Sequence, residues 1–66
     1  MSSWKMNQKF HIGDLVYVRE PITESTRHPG LIIDALEDDV GTVYFEVEFI
    51  GETGWFESYQ IKEVKE

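Results

Sequence analysis

The stretch VYFEVEFI, residues 43–50, alternates without interruption. Val43, Phe45, Val47 and Phe49 fall on one side of an extended chain, and Tyr44, Glu46 and Glu48 on the other. A strict period of two describes a strand with one face buried and one face wet. No segment shows a sustained 3.6-residue period, so no long helix is expected and the core must be the apolar face of a sheet.

Downstream, GETGWFESYQIKEV occupies residues 51–64. GETG reads as a tight connection and WFES as a short strand. SYQ has room for one turn of 3₁₀ helix, and IKEV closes the chain with Ile61 and Val64. Neighbouring residues of a strand point to opposite faces, so one of Trp55 and Phe56 belongs to the core and the other looks outward.

Upstream, LIIDAL (residues 31–36) is a second strand, joined to 43–50 by the acidic turn EDDVGT. Asp34 points outward if Leu31, Ile33 and Ala35 face in; a bulge would bury Ile32 instead. FHIGDLVYVRE (residues 10–20) contains Gly-Asp turn chemistry and a strand. Phe10, Ile12, Val16 and Val18 are expected on its inner face, with Tyr17 and Arg19 opposite. Pro21 ends it, because proline cannot donate to a ladder. EPITESTRHPG (residues 20–30) holds two prolines and no apolar period, and reads as a long loop, functional or mobile. Residues 1–9 read as a polar tail carrying Trp4, which leaves residues 10–66 as the domain. The expected fold is all-β: five short strands in a small, strongly bent barrel, with the 3₁₀ turn before the last strand. Closure would also remove exposed sheet edges.

Composition sets limits. Sixty-six residues form one domain, since a second would have no core of its own. There are no cysteines, which excludes disulfide staples and thiolate zinc sites and fits a reducing compartment. Aromatic residues are 14% of the chain, enough to fill a small β core. No run is apolar enough to span a membrane, and the N-terminal segment lacks the apolar centre of a signal peptide, so the cytoplasm is the expected location. Thirteen acids against six bases give a formal charge of −7. The bases are scattered along the chain, so direct binding to nucleic acid is not expected.

The pattern resembles the SH3-like small-barrel superfamily, in the loose sense that covers SH3, Tudor and KOW domains, across residues 10–64. FHIGDLVYV is similar to the opening strand of such barrels, HPGLIID to their Gly-led second strand, and GETGWFESYQIKEV to the closing segment of SH3 domains. There Gly-Trp-Phe leads into a one-turn 3₁₀ helix and a final strand. The chain is also similar to short barrel proteins carried by tailed phages, which would place it in the host cytoplasm. The resemblance implies that Phe56 is core and that Trp55 lies on a binding face. In peptide-binding SH3 domains a proline follows the Gly-Trp-Phe triplet; here Glu57 does, so a polyproline groove is not implied. The plasmid-type dihydrofolate reductase has a comparable opening and a Val-Gln-Ile-Tyr run lining its pore. Trp55-Phe56-Glu57-Ser58 stands at that place, so its chemistry does not carry over.

Little in the chain suggests catalysis. His11 and His28 lack convergent partners for a metal, and Glu37-Asp38-Asp39 lacks the ligand spacing of a calcium loop. No nucleophile–base–acid set and no phosphate-cradling glycine loop is present. A non-enzymatic module without cofactor or metal is therefore expected. Tyr17, Tyr44, Trp55 and Tyr59 are candidate anchors outside the core. Glu46 and Glu48 share the face of Tyr44, and Glu57 follows the Trp-Phe pair. Aromatic faces beside carboxylates attract cations, so the expected partner is a protein or peptide with a basic surface. Two alternatives share the chemistry: a Tudor-like reader of methylated Lys or Arg, and an acidic phage-type inhibitor that imitates nucleic acid before a host nucleic-acid-binding protein. A second copy of the chain is a further candidate partner, since small barrels gain stability by covering exposed strands.

Overall fold

The computed structural model describes residues 10–64. The tail at residues 1–9, Trp4 with it, and residues 65–66 lie outside the described residues. Five strands run antiparallel in one sheet: β1 (Leu15–Val18), β2 (Gly30–Glu37), β3 (Val43–Phe49), β4 (Glu52–Glu57) and β5 (Ile61–Glu63), with a 3₁₀ turn at Ser58–Gln60. The strand order is β4-β3-β2-β1-β5, so β4 and β5 are the edges.

The alternation of residues 43–49 places Phe45, Val47 and Phe49 in the core, and Val16, Val18, Ile32, Ile61 and Phe10 join them. Phe10 packs edge-on against Phe45 at 5.9 Å between ring centroids. Phe56 packs on the same core and meets Phe49 edge-on at 6.1 Å. Gly30 makes close approach between β2 and β3 feasible. A Cβ there would lie 2.4 Å from Val47 Cγ1 and 2.7 Å from Phe49 Cε1.

Two local expectations are corrected, at Ile12 and at residues 51–54, and the choice left open on β2 is decided. Ile12 was expected inside and is 63% exposed. It sits in a turn that His11 and Asp14 close, through the Asp14 N–H to the His11 carbonyl and the His11 N–H to Asp14 Oδ2. Gly13 turns there at a φ of +100°, so regular strand begins only at Leu15.

On β2 it is Ile32 that is buried, while Leu31 and Ile33 are more than a third exposed. The pairing passes from Ile32↔Val47 to Asp34↔Glu46 and leaves Ile33 as the extra residue of a bulge. That residue shifts the phase, so Ile32 and Ala35 reach the core from positions three apart.

GETG is not a loop. Phe49 pairs with Glu52, leaving Ile50 and Gly51 as the whole connection, with positive φ at Gly51 alone. Glu52, Thr53 and Gly54 are thereby released into β4.

The loop at residues 20–30 is internally bonded around Thr26, its buried polar side chain. Thr26 Oγ1 donates to the Pro21 carbonyl at 2.7 Å and accepts the Thr23 N–H at 2.7 Å, while the Thr26 N–H donates to Thr23 Oγ1 at 3.1 Å. None of the helices among the described residues is long and apolar enough to cross a membrane.

Candidate functional site

The outer face of β2, β3 and β4 can be read row by row from the pairing, because residues directly opposite in an antiparallel ladder share a face. One row runs Leu36–Tyr44–Glu57, the next Asp34–Glu46–Trp55, and the third Leu31–Glu48–Thr53. Apolar, aromatic and acidic side chains thus alternate across a single surface. No Lys or Arg occurs between Arg27 and Lys62, so none of these three strands carries a cation.

Trp55 is 46% exposed and stands directly across from Glu46. Its neighbour Phe56 turns inward, so the pair divides between the faces. Tyr44 is half-buried at the end of this surface, and its hydroxyl donates to Asp38 Oδ2 at 3.3 Å. Asp38 also organises the β2–β3 turn: Oδ1 accepts the N–H groups of Val40 and Thr42. One carboxylate therefore caps the turn and holds the tyrosine.

The Tyr44 phenol is raised above its ordinary value of 10.0, first by burial and then by the negative charges of Asp38 and Glu57, with Tyr59 contributing. These four side chains form one electrostatic neighbourhood. Tyr59 rides on the 3₁₀ turn and is 65% exposed. Gln60 fixes that turn. Its Oε1 accepts the Glu57 N–H at 3.0 Å, its Nε2 donates to the Glu20 carbonyl at 3.3 Å, and its own carbonyl accepts the Arg19 N–H.

The structure thus brings together Tyr44, Glu46, Trp55, Glu57 and Tyr59, with Glu48 exposed one row further along. Tyr17 is apart from them. It pairs with Lys62 across β1 and β5, outside the three acidic strands. Three residues of the surface escaped sequence reasoning. Leu31 is an inner residue in one of the two phases that β2 allows, the alternation gives Leu36 no decided face, and Asp38 reads as a turn acid. The signal for Asp38 is its spacing before Tyr44 across a short turn, which brings the two side chains to the same end of the hairpin.

A broad depression of about 450 Å³ lies elsewhere, lined by Gly13, Asp14, Leu15, Glu63 and Val64. It shares no residue with the aromatic surface and brings together no nucleophile and base. Among the described residues no group of three or more His, Asp or Glu could hold a metal ion. His11 Nδ1 lies 3.9 Å from Asp14 Oδ2, the two side chains closing the turn at residues 11–14. Comparison of the chain with protein-family models, with curated proteins and with solved structures returns no match.

Proposed function

We propose that this chain is a non-enzymatic, SH3-like small barrel that binds a basic segment of another protein through the outer face of β2–β4. The barrel reading is supported by the order β5-β1-β2-β3-β4 and by the 3₁₀ turn before the last strand. The Ile33 bulge adds bend to β2, and Gly30 lets β2 close on β3, the devices by which a small sheet curls over its own core.

The observation that carries the binding reading is Trp55. A half-exposed indole faces Glu46, lies beside Tyr44 and Glu57, and sits on strands without a compensating cation. An indole face with adjacent carboxylates attracts Lys or Arg at about 0.5–1 kcal/mol per exposed contact, and more when water is excluded. Leu31 and Leu36 add apolar area at the flank, and contiguous apolar surface rimmed by charge marks interaction sites. Half-buried Tyr44, tied to Asp38, is pre-oriented and loses little entropy on contact.

The test is titration of the ¹⁵N-labelled protein with a short Lys/Arg-rich peptide, for the parent chain and for Trp55→Ala combined with Tyr44→Ala. Shifts centred on Glu46, Trp55 and Glu57 are expected, weakening with salt, and the double variant is expected to bind about tenfold more weakly or worse. A folded double variant with unchanged affinity refutes this surface. Tyr44 diagonal to Trp55 on one face, with Tyr59 close enough to act on the Tyr44 phenol, supports a second, narrower reading, a cage for methylated Lys or Arg. It requires a trimethyl-lysine peptide to bind more tightly than its unmodified form, and equal affinities dismiss it.

A further inference from the structure

Antiparallel ladders alternate between residues that bond to the neighbouring strand and residues whose N–H and C=O point away from it. A two-residue turn at Ile50–Gly51 makes Phe49 and Glu52 the bonded pair that closes the hairpin, as in a β-turn with its i to i+3 bond. Counting along β4, Gly54 and Phe56 also bond to β3, whereas Thr53, Trp55 and Glu57 face away. An independent contact agrees: the Glu57 N–H is taken by the Gln60 side chain, not by β3. The ladder outward from β4 is therefore stopped at Glu57 and open at Thr53 and Trp55. No described residue pairs with that edge, since β4 ends the sheet.

The edge adjoins the acidic surface, and its own alternation specifies a guest. An added strand would place every second side chain on the outer face beside Thr53, Trp55 and Glu57. The intervening ones would lie over Glu52, Gly54 and the partly covered Phe56. The outer positions meet an indole and carboxylates, which suit Lys or Arg. At the inner position the Phe56 ring lies over Gly54, and its partly covered face is an apolar surface for the guest residue there. A second copy of the chain is the poorer occupant: its β4 edge carries no Lys or Arg, and its other edge, β5, is three residues long and sets Glu63 beside Lys62.

We infer that the basic partner binds by strand addition: an extended segment with alternating cationic and apolar residues pairs with Thr53 and Trp55 as a sixth strand beside β4. This inference rests on the proposed binding surface but adds main-chain pairing to it, and the two can fail separately. Main-chain bonds would supply affinity and the alternate side chains selectivity.

The test uses the full chain and the capped heptapeptide Val-Lys-Val-Arg-Val-Lys-Val in three forms: unmodified, N-methylated at its Lys and Arg nitrogens, and N-methylated at its Val nitrogens. Thr53 and Trp55 pair with the cationic positions, so methylation there is expected to weaken binding about tenfold or more. Methylation on the Val nitrogens, which point away, is expected to leave affinity unchanged. Bound unmodified peptide is expected to slow amide exchange at Thr53 and Trp55. Thr53→Pro removes an edge donor without removing a β3–β4 bond, and is expected to abolish the distinction while the chain stays folded. If all three peptides bind alike and shift Glu46 and Trp55, the surface reading stands and strand addition is overturned. If none binds, strand addition falls as well. If Thr53→Pro instead changes the oligomeric state of the free protein, the occupant is a second copy and the inference is likewise overturned.

Discussion

Gly30→Ala isolates one packing contact with little else changed. The backbone of Gly30 has no positive φ, so alanine suits it locally and the cost is almost entirely steric. Its new Cβ would fall 2.4 Å from Val47 Cγ1, 2.7 Å from Phe49 Cε1 and 2.9 Å from Phe49 Cδ1. Carbon atoms rest at about 3.5–4.0 Å, so roughly 1 Å must be found on two sides. Val47 is fully buried and β-branched, with a stiff χ1. Phe49 is held edge-on against Phe56. Relief must therefore come from separating β2 and β3 near the Leu31↔Glu48 pair.

Overpacking of this kind costs about 1–3 kcal/mol, and contacts this close on two sides put it at the upper end. Alanine restricts the unfolded chain more than glycine does, which returns about 0.4–1 kcal/mol. The net expectation is a loss of about 2 kcal/mol, and in a domain this small that lowers Tm by about 8–16 °C. Urea unfolding followed by circular dichroism and by tryptophan fluorescence reads it out. Adding Val47→Ala removes the nearest clash, so the double variant is expected to be less destabilised than the sum of the singles. An unchanged midpoint for Gly30→Ala, or strict additivity in the double variant, refutes the reasoning.

Three further outcomes are expected. Ile32→Ala should cost about 2–4 kcal/mol, because Ile32 is fully buried, whereas Ile33→Ala should cost well under half as much; equal losses would place the bulge elsewhere. Thr26→Val removes a buried hydroxyl that donates to Pro21 and accepts from Thr23. It should cost about 1–3 kcal/mol and speed amide exchange in residues 20–30, and wild-type exchange there would contradict the bonding scheme. Tyr44 has its phenol raised above 10.0, so the unfolded chain releases that proton first. Stability therefore falls as pH rises above about 10, and Tyr44→Phe should reduce the drop in urea midpoint between about pH 8 and pH 11; an unchanged drop would assign it to other groups.

How much of this could be read in advance varies strand by strand. β3 was legible because its alternation is strict and its partner faces differ sharply in polarity. β2 was legible as a strand but not in phase, because Leu31-Ile32-Ile33 offers three consecutive apolar residues and left both an inward Leu31 and Ile33 and a bulge burying Ile32 open. The choice is made by tertiary contact: β2 must present Gly30 to Val47 and Phe49, and a bulge at Ile33 then brings Ala35 to Phe45. The opening strand misled for a related reason, since Phe10 and Ile12 keep a period of two through a turn where the chain is no longer extended. At residues 51–54 the glycine-rich composition masked a strand. A single residue of positive φ, Gly51, completes the reversal, and Gly54 serves instead as a flat spot under the Phe56 ring, 3.0 Å from where a Cβ would stand. Of the acidic, aromatic surface, β3 alternation placed Tyr44, Glu46 and Glu48, while the outward choice of Trp55 over Phe56 rested on the resemblance. The end of the surface at Asp38 did not follow from alternation, since a turn residue has no period; only the spacing of Asp38 before Tyr44 across the short turn points to it.

Gln60 ties the β4 end of the proposed surface to the neighbouring chain. Through one side chain and one carbonyl it joins the end of β4, the end of β1 and the start of the long loop. The residue before it, Tyr59, and the residue it caps, Glu57, both belong to the proposed surface. A partner that engaged Tyr59 would therefore pull on Glu20 and Arg19 as well as on Glu57, and the Thr23–Thr26 exchange would resist displacement of the loop. Rigid placement of half-exposed aromatics reduces the ordering cost of association. A 66-residue chain with no disulfide has few ways to obtain such rigidity. Here the hydrogen bonds of Thr23, Thr26 and Gln60 add fixed points beside a small core.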